Sequence, residues 1–333
     1  MNLETIDPGF YEALKASRTS ALIKGKGKAK YPKVNTTWKY PILLERKYSN
    51  WAVKLFDPIR KVCKQFAKDY PALLAQYRKD SDDWGYHADT SAVDLTFRLR
   101  SDLEAAQEEM DLYTTSGLPG ATEAAIYATG AELADWAGKR WALERQLALG
   151  HVYDIAEPWM QETLRDWTAT NSGYFQNLSR EWVGKMEALA LDALQTGKRP
   201  EQLLVDILKL DKTLGYNRAR LIAQDQLGKL YAITNEKRSL ACGMDTYTWV
   251  TAGDERVRPT HKNASGKIGT YKDSTVWIVD GKQVPRGSDV PQVGTGVEIK
   301  CRCHAAARWE DVLKPIDQEL LSDPWVEAEI ARM

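Results

Sequence analysis

The chain has 333 residues, of which 43% are hydrophobic and 28% charged, and its 46 basic and 46 acidic residues give a formal net charge of zero. This composition is that of a globular protein with room for more than one domain. The neutral balance argues against a protein that coats nucleic acid over most of its surface. Four cysteines do not make a disulfide framework. We expect no signal peptide and no membrane span, because the N-terminus lacks an apolar core and no run of eighteen apolar residues occurs.

The first segment, residues 1–48, is predicted to be a basic extended arm. Between Arg18 and Lys39 it carries seven basic residues and no acidic one. Its centre, KGKGKAKYPK, alternates lysine with small residues, and charge repulsion would keep such a segment open. The arm would attract phosphates or an acidic partner, and a solvated tether is the alternative. The candidate contact residues are Lys24, Lys26, Lys28, Lys30 and Lys33.

Two helical regions follow, predicted as 49–155 and 156–244. In the first, apolar residues recur at a spacing of three and four, which is typical of helices. Long helices are predicted from about Ala92 to Tyr113 and from about Thr122 to Leu149, separated by the breaking sequence TTSGLPGAT.

In the second helical region, a helix is predicted over roughly 178–195, and Pro200 opens the next one. Gly215 is predicted to separate that helix from a long one of about 216–240. On the long helix, the apolar face is expected to consist of Ala219, Ile222, Ala223, Leu227, Leu230 and Ile233, with Arg218, Asp225 and Lys229 on another face.

After Gly243 the spacing of apolar residues changes from the helical period to alternation at every second residue. The stretch TYTWVTA alternates and is rich in β-formers, and Asp280-Gly281 indicates a short hairpin between two strands. VEIKCRCHAAA is predicted to be a further strand. Residues 245–308 are therefore a small α+β module, and 309–333 an acidic helical tail. The predicted fold class is mostly α with a small C-terminal α+β module, a helical body followed by a short antiparallel sheet.

Several short motifs follow one another in the part of the chain from about residue 160 to 305. They are Ile222-Ala223-Gln224-Asp225-Gln226, the turn from Ala241 to Gly243, Tyr247-x-Trp249, the stretch Asp254 to Arg258 with His261 three residues on, and Cys301-Arg302-Cys303. In order and spacing they resemble the Mu F-like minor head protein family of tailed phages. Gln224 departs from the arginine that many members carry there. The structural motif residues are Asp225, Gln226, Trp249, Arg256 and Arg258.

This resemblance implies a non-enzymatic minor capsid protein of phage head morphogenesis. Such a protein binds near the portal during procapsid assembly and stays in the virion near the portal vertex, after a period in the host cytoplasm. Some members are thought to leave the head with the DNA. The implied partners are the portal protein, the scaffold or the major capsid protein, with phage DNA as a further candidate. No small-molecule substrate and no membrane before ejection are expected.

The two cysteines of the last motif are candidate metal ligands. On a strand, Cys301 and Cys303 would place both sulfurs on one face and His304 on the other. With His261, and Asp254 as a possible fourth donor, they could hold zinc, although no cofactor is certain. Family members often carry cysteines at the places of Arg258 and His261. Three alternatives remain: buried reduced cysteines, a disulfide or redox pair, and a capping or arginine-pairing role of Asp254 through Arg256 or Arg258.

Two other functions are weighed against the structural one. A metal-dependent nuclease would need Asp254, His261 and His304 around a metal, but the sequence shows no second acidic cluster and no phosphate-binding loop. A DNA-binding protein ejected from the head is supported by the basic arm and opposed by the neutral overall charge. No catalytic residue is assigned.

Overall fold

The computed structural model describes residues 6–35, 39–83, 88–110 and 120–333, with the backbone alone for 80–83 and 88–95. Within these ranges the chain is mostly helical and ends in a five-stranded antiparallel sheet and two short helices, which confirms the predicted fold class. None of the helices described is long and apolar enough to cross a membrane. The helices are α1 Pro8–Lys24, α2 Ile42–Lys54, α3 Asp57–Asp83, α4 Ala88–Glu109, α5 Ala121–Leu149, α6 Met160–Thr196, α7 Pro200–Leu210, a π-helical segment Asp211–Arg218, α8 Ala219–Ala241, α9 Pro259–Ala264, α10 Trp309–Leu321 and α11 Pro324–Arg332.

The chain divides into two compact units that are each discontinuous in sequence. Unit 1 comprises Met1–Pro41, Ala131–Thr163 and Leu227–Met333, and unit 2 comprises Ile42–Gly130 and Leu164–Gln226. Three of the four unit boundaries fall inside the long helices α5, α6 and α8, and the fourth lies at the start of α2. The sequence predicts a division into five consecutive segments. Whether those segments fold independently is a separate question, and that division stays a prediction.

The N-terminal segment differs from the prediction. Residues Pro8–Lys24 form α1, so the extended arm is wrong there, and α2 already begins at Ile42. The backbone N–H of Phe10 donates to Asp7 Oδ1 at 2.7 Å, which caps α1. The helix forms because its apolar residues share one buried side, which packs against α10. Those residues are Phe10, Leu14 and Leu22.

The core of unit 1 joins both ends of the chain. α1 packs against α10, and the C-terminal helix α11 also contacts α1. The buried side chains of this cluster include Phe10, Leu14, Leu22, Trp141, Tyr153, Cys242, Met244, Trp309, Val312, Leu313, Ile316 and Leu320.

Unit 2 has an aromatic core and an uninterrupted helical stretch at Gly215. The rings of Tyr48, Phe56 and Trp182 are buried, and Phe56 packs on Trp182 with centroids 5.6 Å apart.

The predicted break at Gly215 is wrong, because α7 continues through the π-helical segment into α8. A β-carbon at Gly215 would lie 2.2 Å from Trp182 Cη2. The glycine therefore makes room for a tryptophan ring rather than ending a helix.

The bounds of the other predicted helices agree more closely with the structure. α5, Ala121–Leu149, confirms the helix predicted from about Thr122. α4 begins before Ala92 and ends at Glu109, and the breaking sequence after it lies mostly outside the described residues. α6 is one helix of 37 residues where the sequence indicates shorter ones.

The apolar face of α8 is confirmed in part. Leu227 and Leu230 are fully buried, whereas Ile233 is 42% exposed, so its place on the buried face is wrong. Asp225 and Gln226 are buried too, and Gln226 Nε2 donates to Asp225 Oδ2 at 3.2 Å. α8 is thus buried on more than one side, which the simple two-face prediction did not allow.

The sheet has the strand order β4-β3-β2-β1-β5 and is antiparallel throughout. Asp280 and Gly281 have φ angles of 50° and 75°, which confirms the predicted hairpin with two left-handed residues at its tip. The strands are β1 Thr246–Val250, β2 Ile268–Thr270, β3 Val276–Val279, β4 Lys282–Pro285 and β5 His304–Ala307.

Candidate metal centre

Three potential metal ligands of the sheet module meet in its interior. His261 lies on the short helix α9, which Pro259 opens, and is 3% exposed. Cys301 and Cys303 lie in the loop before β5 and are 6% and 5% exposed. The Trp249 ring on β1 packs edge-on against the His261 ring, with centroids 5.6 Å apart. Helix, loop and strand thus enclose the three side chains.

The ligand atoms of this cluster lie within 4.8 Å of one another. His261 Nδ1 is 3.2 Å from Cys303 Sγ and 3.5 Å from Cys301 Sγ. The predicted strand through the cysteines is wrong, since β5 begins only at His304. The loop backbone, with a positive φ of 58° at Lys300, brings the two sulfurs together instead of a strand pleat.

Glu298 orients the histidine, and nothing in the sequence pattern singles it out. His261 Nε2 lies 2.9 Å from Glu298 Oε2, which also accepts from Arg258 Nη1 at 2.6 Å. Arg258 Nη2 donates to the Ile299 carbonyl at 2.7 Å. The two ring nitrogens of an imidazole point in different directions, so a carboxylate on Nε2 turns Nδ1 toward the sulfurs. Metal-binding histidines are commonly held in this way.

Asp254 does not join the cluster. Its carboxylate pairs with Arg302, and its Oδ1 accepts from the backbone N–H of Arg256 at 3.1 Å. The Arg256 side chain is 59% exposed and lies 3.9 Å from the same carboxylate. The placement of Asp254 among the ligands is therefore wrong. Asp254 does pair with an arginine, as the alternative predicts, but its main partner is Arg302 rather than Arg256 or Arg258.

His304 lies apart from the cluster although it follows Cys303. Its Nδ1 is 2.9 Å from the Tyr231 hydroxyl, and burial lowers the pKa of His304 to about 3. The ring is therefore neutral at physiological pH. Its orientation away from the sulfurs agrees with the expectation that it points to the other side of the chain.

The electrostatics of the cluster favour one thiolate. The hydrogen bond with Cys303 lowers the pKa of Cys301 to about 5 against the effect of burial. The same bond, together with burial, raises the pKa of Cys303. Burial lowers the pKa of His261, but its hydrogen bonds with Cys301 and Glu298 outweigh this and raise it. The lowered pKa of Cys301 favours its thiolate, which is a soft anionic donor beside an imidazole.

The donor set fits zinc with three protein ligands. Zinc bonds of about 2.3 Å to sulfur and about 2.0 Å to nitrogen, at tetrahedral angles, hold sulfur and nitrogen roughly 3.5 Å apart. The two sulfur–nitrogen distances of the cluster are 3.2 and 3.5 Å. Without a metal, the same atoms form a hydrogen-bonded triad, because Nδ1 is within reach of both sulfurs. A structural zinc site takes four ligands, and Asp254 does not supply the fourth.

Of the remaining residues singled out in the sequence, Trp249 packs against His261, and the others lie outside this centre. Asp225 and Gln226 are buried in α8, and Trp249 is fully buried in the module. The five lysines of the predicted arm are all exposed and form part of unit 1.

Two comparisons with known proteins give a match to part of the chain. A family model described as "Phage Mu protein F like protein" matches residues 185–306, a stretch that includes all three cluster residues. An uncharacterized protein of Haemophilus influenzae is 29% identical over 146 residues, which are 44% of this chain. The match spans only 29% of the length of that curated relative. No solved structure matches the chain.

Proposed function

We propose, from the premise that residues 185–306 belong to the family of phage Mu protein F like proteins, that this chain is a minor capsid protein of phage head morphogenesis. In this proposal it binds the portal while the procapsid assembles and stays in the virion near the portal vertex. The family match is the single observation that carries the proposal. The family is one of head morphogenesis, which supports a structural role over an enzymatic one.

The chemistry of the candidate metal centre also supports a structural role. Its three donors are sulfur and imidazole nitrogen and are almost completely buried. A catalytic zinc site can also have three protein ligands, but it keeps a coordination position open to water or substrate. A hydrolytic magnesium or manganese site would need oxygen donors open to solvent. The carboxylate of Asp254, which a nuclease would require, is paired with Arg302. The centre is better suited to joining α9 to the loop before β5, so the nuclease alternative has little support.

Exposed apolar side chains in the family region support binding of a protein partner. On α7, Leu204, Val205 and Leu208 are 44%, 62% and 51% exposed. Val205 and Leu208 lie three residues apart, so they share one side of the helix. Apolar side chains grouped on a surface are typical of protein interfaces. We assign this surface, defined as Leu204, Val205 and Leu208, to the portal contact.

Co-purification tests the proposal. The untagged chain is co-expressed with the tagged portal protein of the phage that encodes it, and the complex is isolated by affinity and size-exclusion chromatography. We expect the pair to co-elute, and the double variant Val205→Asp, Leu208→Asp to lose the portal without a change in melting temperature. The matched control is Val279→Asp, also at an exposed valine (50%). Failure to bind the portal, with stable binding to the major capsid protein instead, would point to a shell-decorating role.

A role in DNA ejection is the second part of the proposal. Its support is the basic segment at the N-terminus, which is a candidate contact for phage DNA. Purified particles can be triggered to release DNA, and the chain is then quantified in the emptied heads and in the released fraction. Recovery with the DNA supports ejection, whereas full retention in the emptied heads would restrict the role to assembly.

A further inference from the structure

Five exposed lysines lie at the end of α1 and in the nine residues that follow it. We define this lysine row as Lys24, Lys26, Lys28, Lys30 and Lys33. Each side chain is exposed, and within the described ranges none of them forms an ion pair with a carboxylate. In a chain of zero net charge, this is a local concentration of five unneutralised positive charges.

The residues between these lysines fix the segment to unit 1. Ala29 and Tyr31 pack against the core cluster that contains Leu22. Arg18 Nη1 donates to the Lys30 carbonyl at 3.4 Å, and the Arg18 guanidinium lies 5.8 Å from the centre of the Tyr31 ring. Small and aromatic residues thus face the core while the alternate lysines face solvent, which explains the alternating sequence better than a free arm does.

A turn stabilises the start of the row. The N–H of Gly27 donates to the Leu22 carbonyl at 2.9 Å, and Gly27 has a φ of 75°, which favours glycine. A β-carbon at Gly27 would lie 3.8 Å from Ile330 Cγ2, so the backbone here runs along α11. The lysines are therefore presented from a fixed backbone, and their ammonium groups do not have to be gathered on binding.

Acidic residues of the C-terminal helices do not neutralise the row. Asp317 pairs with Arg18, and Glu319 accepts from Lys15 at 2.5 Å. On the same helices, Glu310 pairs with Lys314 and Arg308, and Glu329 pairs with Arg332. These carboxylates already have cationic partners other than the five lysines, so the row keeps its charge for an external ligand.

We propose that the lysine row is a sequence-independent binding surface for the phosphate backbone of duplex DNA; this rests on the proposed function, in which a head protein near the vertex meets packaged DNA. Lysine is depleted in the centre of protein interfaces, which use aromatic residues and arginine. Its ammonium acts as a point charge suited to phosphate. The ring within the row, Tyr31, packs toward the core, so it offers no stacking platform of the kind that single strands use.

The test uses the full chain and two unrelated 30-base-pair duplexes, with binding measured by fluorescence anisotropy between 50 and 200 mM salt. Contacts with four or five phosphates give a slope of log affinity against log salt of about −4, so affinity falls roughly 100- to 500-fold over this range. Both duplexes should bind equally. Changing all five lysines of the row to glutamine should reduce affinity at 50 mM salt at least tenfold and bring the slope toward zero, with an unchanged melting temperature.

A matched control removes the same charge elsewhere. It changes the exposed residues Lys64, Lys209, Lys212, Lys262 and Lys282 to glutamine and should keep at least half of the DNA affinity. An equal loss in the control would overturn the proposal in favour of diffuse electrostatics. Stronger binding to poly-glutamate than to duplex DNA, lost in the row variant, would assign the row to an acidic protein instead. Portal co-purification without DNA binding would reject this inference and leave the proposed function standing.

Discussion

At the scale of residues, the module depends on a few polar side chains placed deep in its interior. His261 is held between Glu298 and two sulfurs, and Arg258 holds Glu298 in turn. A second buried group, Arg286, is 7% exposed and lies with its guanidinium 3.9 Å from the centre of the Trp277 ring. Buried polar groups of this kind stabilise a small core only while their partners are present.

The first prediction concerns zinc. Protein purified without a histidine tag should contain close to one zinc per chain by mass spectrometry, and the double variant Cys301→Ser, Cys303→Ser should contain none and be less stable. Glu298→Gln should weaken zinc affinity about 10- to 100-fold, because changing the hydrogen-bond partner of a metal ligand has effects of this size. If the wild-type protein holds no metal and the double variant keeps its stability, the cysteines contribute packing alone.

The second prediction concerns Arg286. Its Nη1 donates to the carbonyls of Pro291 and Val293, each at 2.8 Å. Arg286→Ala leaves both carbonyls without that donor and opens space beside Trp277. The free energy of unfolding should therefore fall by about 2–4 kcal/mol. The control Arg256→Ala, at a side chain 59% exposed, should change stability by less than about 0.5 kcal/mol. Urea unfolding followed by tryptophan fluorescence measures both, and equal effects would contradict the structural role of Arg286.

The third prediction is a pH dependence from Glu144. Burial raises the pKa of its carboxyl to about 7, although Arg140 opposes the shift. The folded state then binds a proton that the unfolded state has released, so stability falls as the pH rises from about 4.5 through about 7. Glu144→Gln removes this loss and should be more stable than wild type at pH 8, by on the order of 1–3 kcal/mol. Denaturant unfolding at pH 5.5 and pH 8 tests it, and identical pH profiles for the two proteins would refute the assignment.

At the scale of elements, the sequence predicts structure that local residue types determine. It does not predict structure that depends on contacts between residues far apart in the chain. The Asp280-Gly281 hairpin is predicted correctly because its two left-handed residues follow from the residue types alone. α1 is missed because its burial depends on α10, about 300 residues away in sequence. The cysteines and His261 are predicted together from a motif, whereas Glu298 reaches His261 across 37 residues from a loop with no pattern of its own.

In the π-helical segment, the packing of Gly215 against Trp182 outweighs the tendency of glycine to end a helix. The fourth prediction tests this packing. Gly215 suggests a break, but its backbone stays helical beside the Trp182 ring, only 2.2 Å from where a β-carbon would lie. Gly215→Ala should therefore destabilise unit 2 by about 1–3 kcal/mol through overpacking. Gly184→Ala on α6, where a β-carbon would have no neighbour within 4 Å, should instead stabilise the helix by about 0.5–1 kcal/mol. Thermal unfolding compares the two, and a neutral Gly215→Ala would contradict the packing described here.

At the scale of the whole molecule, each compact unit combines stretches that are far apart in sequence. Unit 1 brings α1 together with the C-terminal helices, so its fixed lysine row and its acidic tail belong to one structure. Unit 2 is helical, and its α7 carries the apolar surface that we assign to the portal. The family match runs through both units, from α6 to β5.

We propose that this chain is a minor capsid protein that stays in the virion near the portal vertex. An asymmetric cryo-electron microscopy map of particles from the encoding phage, combined with quantitative mass spectrometry of the same particles, tests this proposal. We predict density for the helical body in contact with the portal, and a copy number far below that of the major capsid protein. Its absence from purified particles, or an even distribution over the shell, would contradict the claim.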